Sequence, residues 1–242
     1  INVSVVACIP TLKPVDQTTL GAAVRYAAME KDAVIVAAAG NTANPGCAQN
    51  PDIDATDATD PRNWDQVVTI STPAWFSDYV LAVSATDAAG QPAVDDSGRE
   101  ISLAGPWISV AAPGLFVEGV TEAGGVINAT FDSQKNILKP MSGTSFSAAY
   151  VSGLAALIRG KYPELPAAQV INRITATAHS PAAVLDNRIG HGVIDPLAAL
   201  NFDVPEVPQP RESVSRPLEP PPPAPPVDGR PKLIALAGMG VL

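Results

Sequence analysis

The sequence has only two cysteines and two histidines, the side chains that most often bind transition metals or activate nucleophiles. Its two cysteines, Cys8 and Cys47, form no metal-binding spacing such as Cys-x-x-Cys. We therefore predict no metal and no cofactor. An even number of cysteines permits one disulfide, which would indicate an oxidising compartment. A pair of buried free thiols is the alternative.

Charged side chains are scarce, and basic ones are scarcer than acidic ones. The 15 Lys and Arg residues face 24 Asp and Glu residues, for a net charge of −9. This balance argues against nucleic acid and against an anionic membrane surface as partners. Part of the acidic excess lies in residues 42–65, which hold Asp52, Asp54, Asp57 and Asp60. Their spacing does not match an EF-hand, so we interpret the segment as a solvated acidic loop.

The C-terminal apolar run, residues 233–242, is too short to cross a membrane by itself. As a helix it reaches about 15 Å, half of the bilayer core. Because it is uncharged and follows a proline-rich segment, we predict the truncated start of a transmembrane helix. An apolar tail of no consequence is the alternative. The segment before it, residues 202–232, is predicted to be an extended spacer rather than a polyproline ligand.

The composition and patterning of residues 1–201 predict one α/β domain. Apolar runs typical of buried strands occur at residues 2–6, 33–38, 80–86 and 108–112. Between the first two runs, apolar residues recur at helical spacing up to about residue 31, which predicts a βαβ unit with a right-handed crossover. No signal peptide precedes the first strand, so the start of the chain suggests a fragment or a processed product.

Ser145 lies at the start of the most apolar helix in the sequence. Residues 148–158 are almost all apolar or small, which predicts a helix buried on nearly all of its faces. The free N–H groups and the positive dipole end at such a helix start favour negative charge, as an oxyanion requires. Ser145 is therefore a candidate nucleophile, and the alternative is a serine that only caps the helix.

Several motifs resemble those of the subtilisin-like serine proteases, and they occur in the order of that family. The serine motif is similar to residues 143–148, and the oxyanion asparagine to residues 38–41. The strand and turn before the serine are similar to residues 111–114, the substrate-pairing strand to residues 1–4, and the closing glycine segment to residues 190–195. Together these motifs are far more specific than a lone Gly-Thr-Ser.

The resemblance implies a mostly parallel sheet with helices on both faces, of which residues 1–201 would form the C-terminal part. It implies that Ser145 is the nucleophile and that Asn41 donates to the oxyanion. It also implies that a peptide substrate binds as an extended strand along Asn2, Val3, Ser4, Val5, Ala37, Ala38, Ala39 and Gly40.

Within that family the sequence resembles the mycosins, the membrane-anchored proteases of mycobacterial type VII secretion systems. The shared features are the cysteine pair, residues 60–64, the serine motif, the proline-rich tail and the apolar end. This resemblance implies a disulfide between Cys8 and Cys47. It also implies a periplasmic peptidase domain, an inner-membrane anchor in a C-terminal helix, and partners in a type VII secretion membrane complex.

The chain has no residue that matches the catalytic base of the family. His179 and His191 are its only histidines, and neither lies in the family's histidine motif. We therefore predict that an upstream fragment supplies the catalytic Asp and His. The alternative is a scaffold subunit in which proteolysis is secondary. An esterase or lipase is disfavoured, because the second glycine of Gly-x-Ser-x-Gly is absent after Ser145.

Overall fold

The computed structural model describes residues 1–132, 136–182 and 185–206. In chain order its elements are β1 (Asn2–Val3), β2 (Ala7–Pro10), α1 (Thr18–Arg25), β3 (Ile35–Ala38), β4 (Thr69–Thr72), β5 (Val80–Thr86), β6 (Ile108–Pro113), β7 (Gly119–Val120), β8 (Val126–Ile127), β9 (Ala129–Asp132), β10 (Ile137–Pro140), α2 (Thr144–Lys161), α3 (Ala167–Ala176) and α4 (Pro196–Asn201). A π-helical turn at Tyr26–Glu30 extends α1, and a 3₁₀ turn occupies Trp64–Gln66.

A parallel four-stranded sheet in the order β1-β3-β5-β6 forms the centre of the fold. β3 and β5 are buried along their whole length, as their apolar runs predict. The βαβ unit of β1, α1 and β3 is confirmed, with Val3 opposite Ala37. β1 covers less of the chain than the predicted strand at residues 2–6, and it is the edge strand of the described sheet.

A second, smaller sheet was not predicted from the sequence. Ala7–Pro10 is strand β2, which pairs antiparallel with β4. β4 was not predicted, because threonine and serine alternate with isoleucine and hide its burial from any apolar count. All of β4 is nevertheless buried.

Two apolar clusters cover the two faces of the parallel sheet. On one face α2 and α3 contribute Val151, Leu154, Ile158, Val170 and Ile174. On the other face Val24 of α1 packs with Ile35, Val80 and Trp107. Burial of these side chains supplies the main stabilisation of the fold, about 1.5–3 kcal/mol for each large apolar residue.

Helix α2 is less buried than its sequence predicts. Its inner face is fully buried on the sheet, but Tyr150 is 46% exposed and Leu157 is 59% exposed. The prediction of burial on nearly all faces is therefore wrong for this outer face. An apolar run predicts that a helix has apolar faces, but it does not predict which of these faces the rest of the chain covers.

Two antiparallel strand pairs, β7–β8 and β9–β10, lie between β6 and α2. Asp195 caps α4 by accepting a hydrogen bond from the Ala198 N–H, whereas Asp16 bonds Thr18 one residue ahead of the α1 N-cap, Gln17. No helix in the described part of the chain is long and apolar enough to cross a membrane. The predicted linker beyond residue 206 and the predicted membrane helix at residues 233–242 lie outside the described residues.

Candidate active site

Ser145 lies in the first turn of α2, which begins at Thr144. The turn before the helix requires glycine, because Gly143 has a φ of +141° and a Cβ there would lie 3.2 Å from Asn41 Nδ2. N–H groups in the first turn of a helix have no intrahelical acceptor. The Ser145 N–H is therefore placed to donate to a negative oxygen beside the Ser145 hydroxyl.

Asn41 follows β3 and is fixed to the start of α2. Its Oδ1 accepts hydrogen bonds from the Thr144 N–H at 3.1 Å and from the Thr144 hydroxyl at 3.0 Å. The Thr144 hydroxyl in turn accepts from the Gly40 N–H at 3.2 Å. Because Oδ1 is engaged in this way, the Nδ2 donors of Asn41 point away from Thr144. A carboxamide donor and the first turn of α2 thus meet at the carboxyl end of the sheet.

The Ser145 hydroxyl is bound to the edge of the sheet. Its Oγ donates to the Ser4 carbonyl at 3.0 Å, and the Ser4 Oγ donates to the Ser145 carbonyl at 3.1 Å. This reciprocal pair joins the segment after β1 to α2. The sequence motifs indicate both residues, but not that they bond each other.

The predicted substrate-binding residues fall into two groups. Asn2, Val3, Ser4 and Val5 are exposed or half-buried, with Val5 79% exposed. The second group, Ala37, Ala38, Ala39 and Gly40, is buried, and the three alanines have no exposed surface. A peptide can therefore reach the first group directly, whereas the alanines lie beneath the surface that it would touch.

The turn that carries Ser145 is packed tightly against the end of β6. The Gly143 N–H donates to the Gly114 carbonyl at 2.8 Å, and the Ser147 Oγ donates to the Pro113 carbonyl at 3.2 Å. A Cβ on Gly114 would lie 2.4 Å from the Ser147 Oγ, so only glycine fits there. The sequence motif at residues 111–114 is thus explained by close packing behind the nucleophile.

Neither histidine lies beside Ser145. His191 donates its N–H to the Ser109 carbonyl near the start of β6, whereas Ser145 lies beyond the other end of that strand. His179 is exposed and its Nε2 lies 3.2 Å from Asp195 Oδ2. Partial burial, and then the charge of Arg62, lower the pKa of His191 below its usual value. The described residues thus bring the candidate nucleophile Ser145 and the candidate oxyanion donor Asn41 together without a histidine beside them.

A second polar network, at the amino end of β6, was not predicted. Asn187 is 1% exposed, accepts from Arg62 Nε at 3.0 Å, and donates to the carbonyls of Pro51 and Arg62. Burial lowers the pKa of Arg62 to about 10. Arg188 binds both carboxylate oxygens of Asp52, at 2.6 and 2.7 Å. These contacts tie the acidic loop to the residues just before the closing segment, and the motif at residues 60–64, which holds Arg62, does not reveal them.

The acidic loop is fixed at its other end by the disulfide between Cys8 and Cys47. The disulfide that the mycosin resemblance implies is therefore confirmed. Asp54 and Asp57 each accept hydrogen bonds from a threonine two residues further on, Thr56 and Thr59. These bonds hold the pKa of both carboxyls below its usual value. Within the described ranges, no group of three acidic, His or Cys side chains is placed to hold a metal ion.

This arrangement of parallel sheet, serine helix and oxyanion asparagine is that of a known class. The chain matches the Subtilase family (Peptidase_S8) over residues 2–192, and it belongs to that family. The subtilisin-like α/β fold predicted from the motifs is therefore confirmed.

Within the subtilases, the chain is similar to the mycosins. It is 51% identical over 250 residues to mycosin-2 of Mycobacterium tuberculosis (strain ATCC 25618 / H37Rv), an alignment covering 100% of this chain and 44% of that protein. The solved structure of the serine protease MycP1, an essential component of the type VII (ESX-1) secretion system, is 49% identical with a TM-score of 0.77, over 83% of this chain and 52% of that one. A chain of an intact ESX-5 inner membrane complex is 50% identical with a TM-score of 0.79, over 99% of this chain and 53% of that one.

The chain thus spans about half the length of these relatives. Its resemblance to the mycosins, predicted from the cysteine pair and the serine motif, is confirmed.

Proposed function

We propose that this chain supplies the nucleophile and the oxyanion hole of a serine endopeptidase of the subtilisin type. The observation that carries the proposal is the meeting of Ser145 and Asn41 at the carboxyl end of the sheet. The two residues are joined through Thr144, whose N–H and hydroxyl both bind Asn41 Oδ1. Such preorganised donors contribute most when they face the oxygen on which charge develops.

The reaction is acyl transfer to the Ser145 hydroxyl followed by hydrolysis. Ser145 Oγ leaves the Ser4 carbonyl, gives its proton to a histidine base and attacks the carbonyl carbon of the scissile bond. The Asn41 carboxamide and the Ser145 N–H stabilise the oxyanion, and each such donor lowers the barrier by about 2.7–4 kcal/mol. The base then protonates the leaving amine, and water hydrolyses the acyl-enzyme.

We propose that residues upstream of this chain provide the Asp and the His. Two observations support this. The outer face of α2 presents Tyr150 and Leu157 to solvent, and apolar side chains at such exposure suit a covering element. β1 is the edge strand of the described sheet, so its outer side can accept further strands. A histidine on the covering element would approach Ser145 from the side of Ser4.

The substrate is a protein segment bound in an extended conformation along residues 2–5. The exposed Val5 and the half-buried Ser4 offer side-chain and backbone contacts of the kind used in strand addition. Gly40 and the alanines before it shape this groove from beneath. In this proposal the backbone of residues 37–40 supports the oxyanion hole, and these residues do not form a surface that contacts the substrate.

We further propose that the protein acts in the cell envelope with a type VII secretion membrane complex. The similarity to a chain of the ESX-5 inner membrane complex supports this, as does the disulfide, which suits an oxidising compartment. In this proposal the peptidase domain is periplasmic, residues 202–232 are a spacer, and residues 233–242 begin the inner-membrane anchor.

A scaffold role within that complex is the second candidate, and the same similarity favours it. Ser145→Ala in the full-length protein separates the two functions. We expect peptide hydrolysis to fall by about 10⁶-fold in kcat, because the nucleophile is lost. Folding should change little, since a half-exposed hydrogen bond contributes only about 1 kcal/mol.

The measurement is hydrolysis of peptide libraries by the full-length wild type and variant, together with export of secreted substrates by cells that carry each form. Ser77→Ala is the matched control, because it removes an exposed serine hydroxyl just before β5, at the end of the sheet away from Ser145. Hydrolysis that persists in Ser145→Ala would contradict the peptidase assignment. Normal export with abolished hydrolysis would favour the scaffold role.

A further inference from the structure

Phe116 is an exposed aromatic residue close to the turn that carries the nucleophile. It follows β6, and 66% of its surface is exposed. Its φ of +51° lies in the left-handed region, which a bulky residue occupies only when its surroundings hold it there. An aromatic side chain that is exposed, and also held in an unfavourable backbone conformation, is typical of a residue that contacts a ligand.

The backbone around Phe116 is fixed to the turn before Ser145. Three hydrogen bonds join the two segments: Gly143 N–H to the Gly114 carbonyl at 2.8 Å, Phe116 N–H to Ser142 Oγ at 3.1 Å, and Val117 N–H to the Met141 carbonyl at 2.8 Å. Residues 114–117 therefore run beside residues 141–143. Ser142 is three residues from Ser145, which limits their Cα separation to about 10 Å. Phe116 is thus held at a fixed place near the nucleophile.

The sheet order decides which part of a bound peptide Phe116 can meet. β1, which leads to Ser4, and β6, which leads to Phe116, are the two outer strands of the described parallel sheet. We take the part of the substrate that lies along residues 2–5 to be the acyl part, which remains on Ser145 after cleavage, and the two kinds of substrate used below test this assignment. Beyond Ser145, on the side away from Ser4, a bound peptide would lie over residues 141–142. Phe116 lies beside these two residues on their outer side. The part of the peptide over residues 141–142 follows the scissile bond.

Exposed apolar side chains follow Phe116 on the next hairpin, interspersed with the exposed Glu118 and Glu122. The β7–β8 hairpin presents the cross-strand pair Val120 and Val126, which are 80% and 71% exposed. Met141 is half-buried, and its side chain lies 3.9 Å from where a Cβ on Gly119 would be. Apolar side chains of this number and exposure mark a binding surface, and this one is continuous with the nucleophile turn.

We propose that Phe116 binds an apolar side chain of the substrate on the C-terminal side of the scissile bond and so determines specificity there. This inference rests on the proposed peptidase function. Its occupant is the leaving part of the peptide, since the segment that holds Phe116 is bonded to Met141 and Ser142. The contact adds binding for peptides with Leu, Phe or Met after the cleaved bond.

The test uses the full-length protein and two kinds of substrate. One is a series of peptides with Leu, Ser or Asp at the two positions after the cleaved bond. The other is the same acyl sequence on a chromogenic anilide, which has no residue there. We expect Phe116→Ala to lower kcat/KM about tenfold for the Leu peptides only, and Phe116→Trp to restore it. Phe131→Ala is the matched control, because Phe131 is 62% exposed and lies in β9, where it pairs with Leu138 rather than with the turn at residues 141–143.

A binding measurement tests the contact with Phe116 independently of peptide hydrolysis. In the Ser145→Ala background, uncleaved peptides are titrated against the protein, with and without Phe116→Ala. A tenfold loss of affinity confined to the Leu peptides supports the proposal even if no hydrolysis is found. Equal binding of the Leu and Asp peptides by the Ser145→Ala protein overturns it. So does an equal fall in kcat/KM for the anilide and the peptides, which would make Phe116 a structural residue.

Discussion

Asn41 and Asn187 lie at opposite ends of the parallel sheet and use the same carboxamide differently. Asn187 is 1% exposed, and its acceptor and both donor positions are occupied by Arg62 and the carbonyls of Pro51 and Arg62. Asn41 is half-buried and binds Thr144 through Oδ1, while its donors face the crevice. A saturated side chain stabilises the fold. A carboxamide that has a fixed orientation and N–H donors not used within the fold can stabilise a charge that exists only during a reaction.

The largest effect on this comparison is expected from Asn41→Ala. Loss of one oxyanion donor should lower kcat of the full-length protein by about 10²–10³-fold, while the free energy of unfolding falls by about 1–2 kcal/mol because the buried Thr144 loses its acceptor. Peptide hydrolysis and urea denaturation measure the two quantities. Asn41→Asp is the control, because its carboxylate still accepts from Thr144 but faces the oxyanion with negative charge. Wild-type activity in Asn41→Asp would remove Asn41 from the oxyanion hole.

Asn187→Ala should do the reverse. It removes the acceptor of Arg62 Nε and the donor to the carbonyls of Pro51 and Arg62, all at a site where Asn187 itself is buried, so we expect a loss of about 2–3 kcal/mol in the free energy of unfolding. The kcat of the folded fraction should stay within about twofold of wild type. Asn187→Asp keeps the acceptor for Arg62 and should be destabilised less. If Asn187→Ala lowered kcat without lowering stability, the two ends of the sheet would not be independent.

The smallest effect concerns His191, at the same end of the sheet as Asn187. Its pKa in the folded state is lowered, first by burial and then by Arg62. As pH falls below about 6.5, the unfolded chain binds this proton first, so stability should decrease until the folded-state pKa is passed. His191→Gln should flatten the stability curve in that interval. His179→Gln, which removes an exposed histidine, is the control. An unchanged slope in His191→Gln would exclude this linkage.

The sequence predicts the parts of this molecule whose evidence is local. Apolar runs identify β3, β5 and β6, and the motif around Ser145 identifies the candidate nucleophile and Asn41. Strand β4 was not predicted, because its two threonines and its serine have low hydropathy and are buried through the pairing of β4 with β2. Burial of residues in a mixed polar strand depends on a partner that is distant in the sequence.

Contacts between residues that are distant in the sequence could not be predicted either. The hydrogen bonds from Ser145 to Ser4 and from Thr144 to Asn41 require β1, β3 and α2 to be assembled before their geometry exists. The outer face of α2 shows the opposite limit, since its apolar residues predict burial that the described chain does not provide. The Arg62–Asn187 network was not predicted although Arg62 lies in the motif at residues 60–64, because that motif does not show which distant residues Arg62 contacts in the fold.

The separation of the site's components along the chain has a consequence for synthesis. Asn41 and Thr144 are 103 positions apart, and Ser4 and Ser145 are 141 apart. A nascent chain that has produced Asn41 must still add β4, β5, β6 and both hairpins before α2 emerges. The hydrogen bonds that join Asn41 to Thr144 and Ser4 to Ser145 therefore cannot form until most of the described domain has been synthesised.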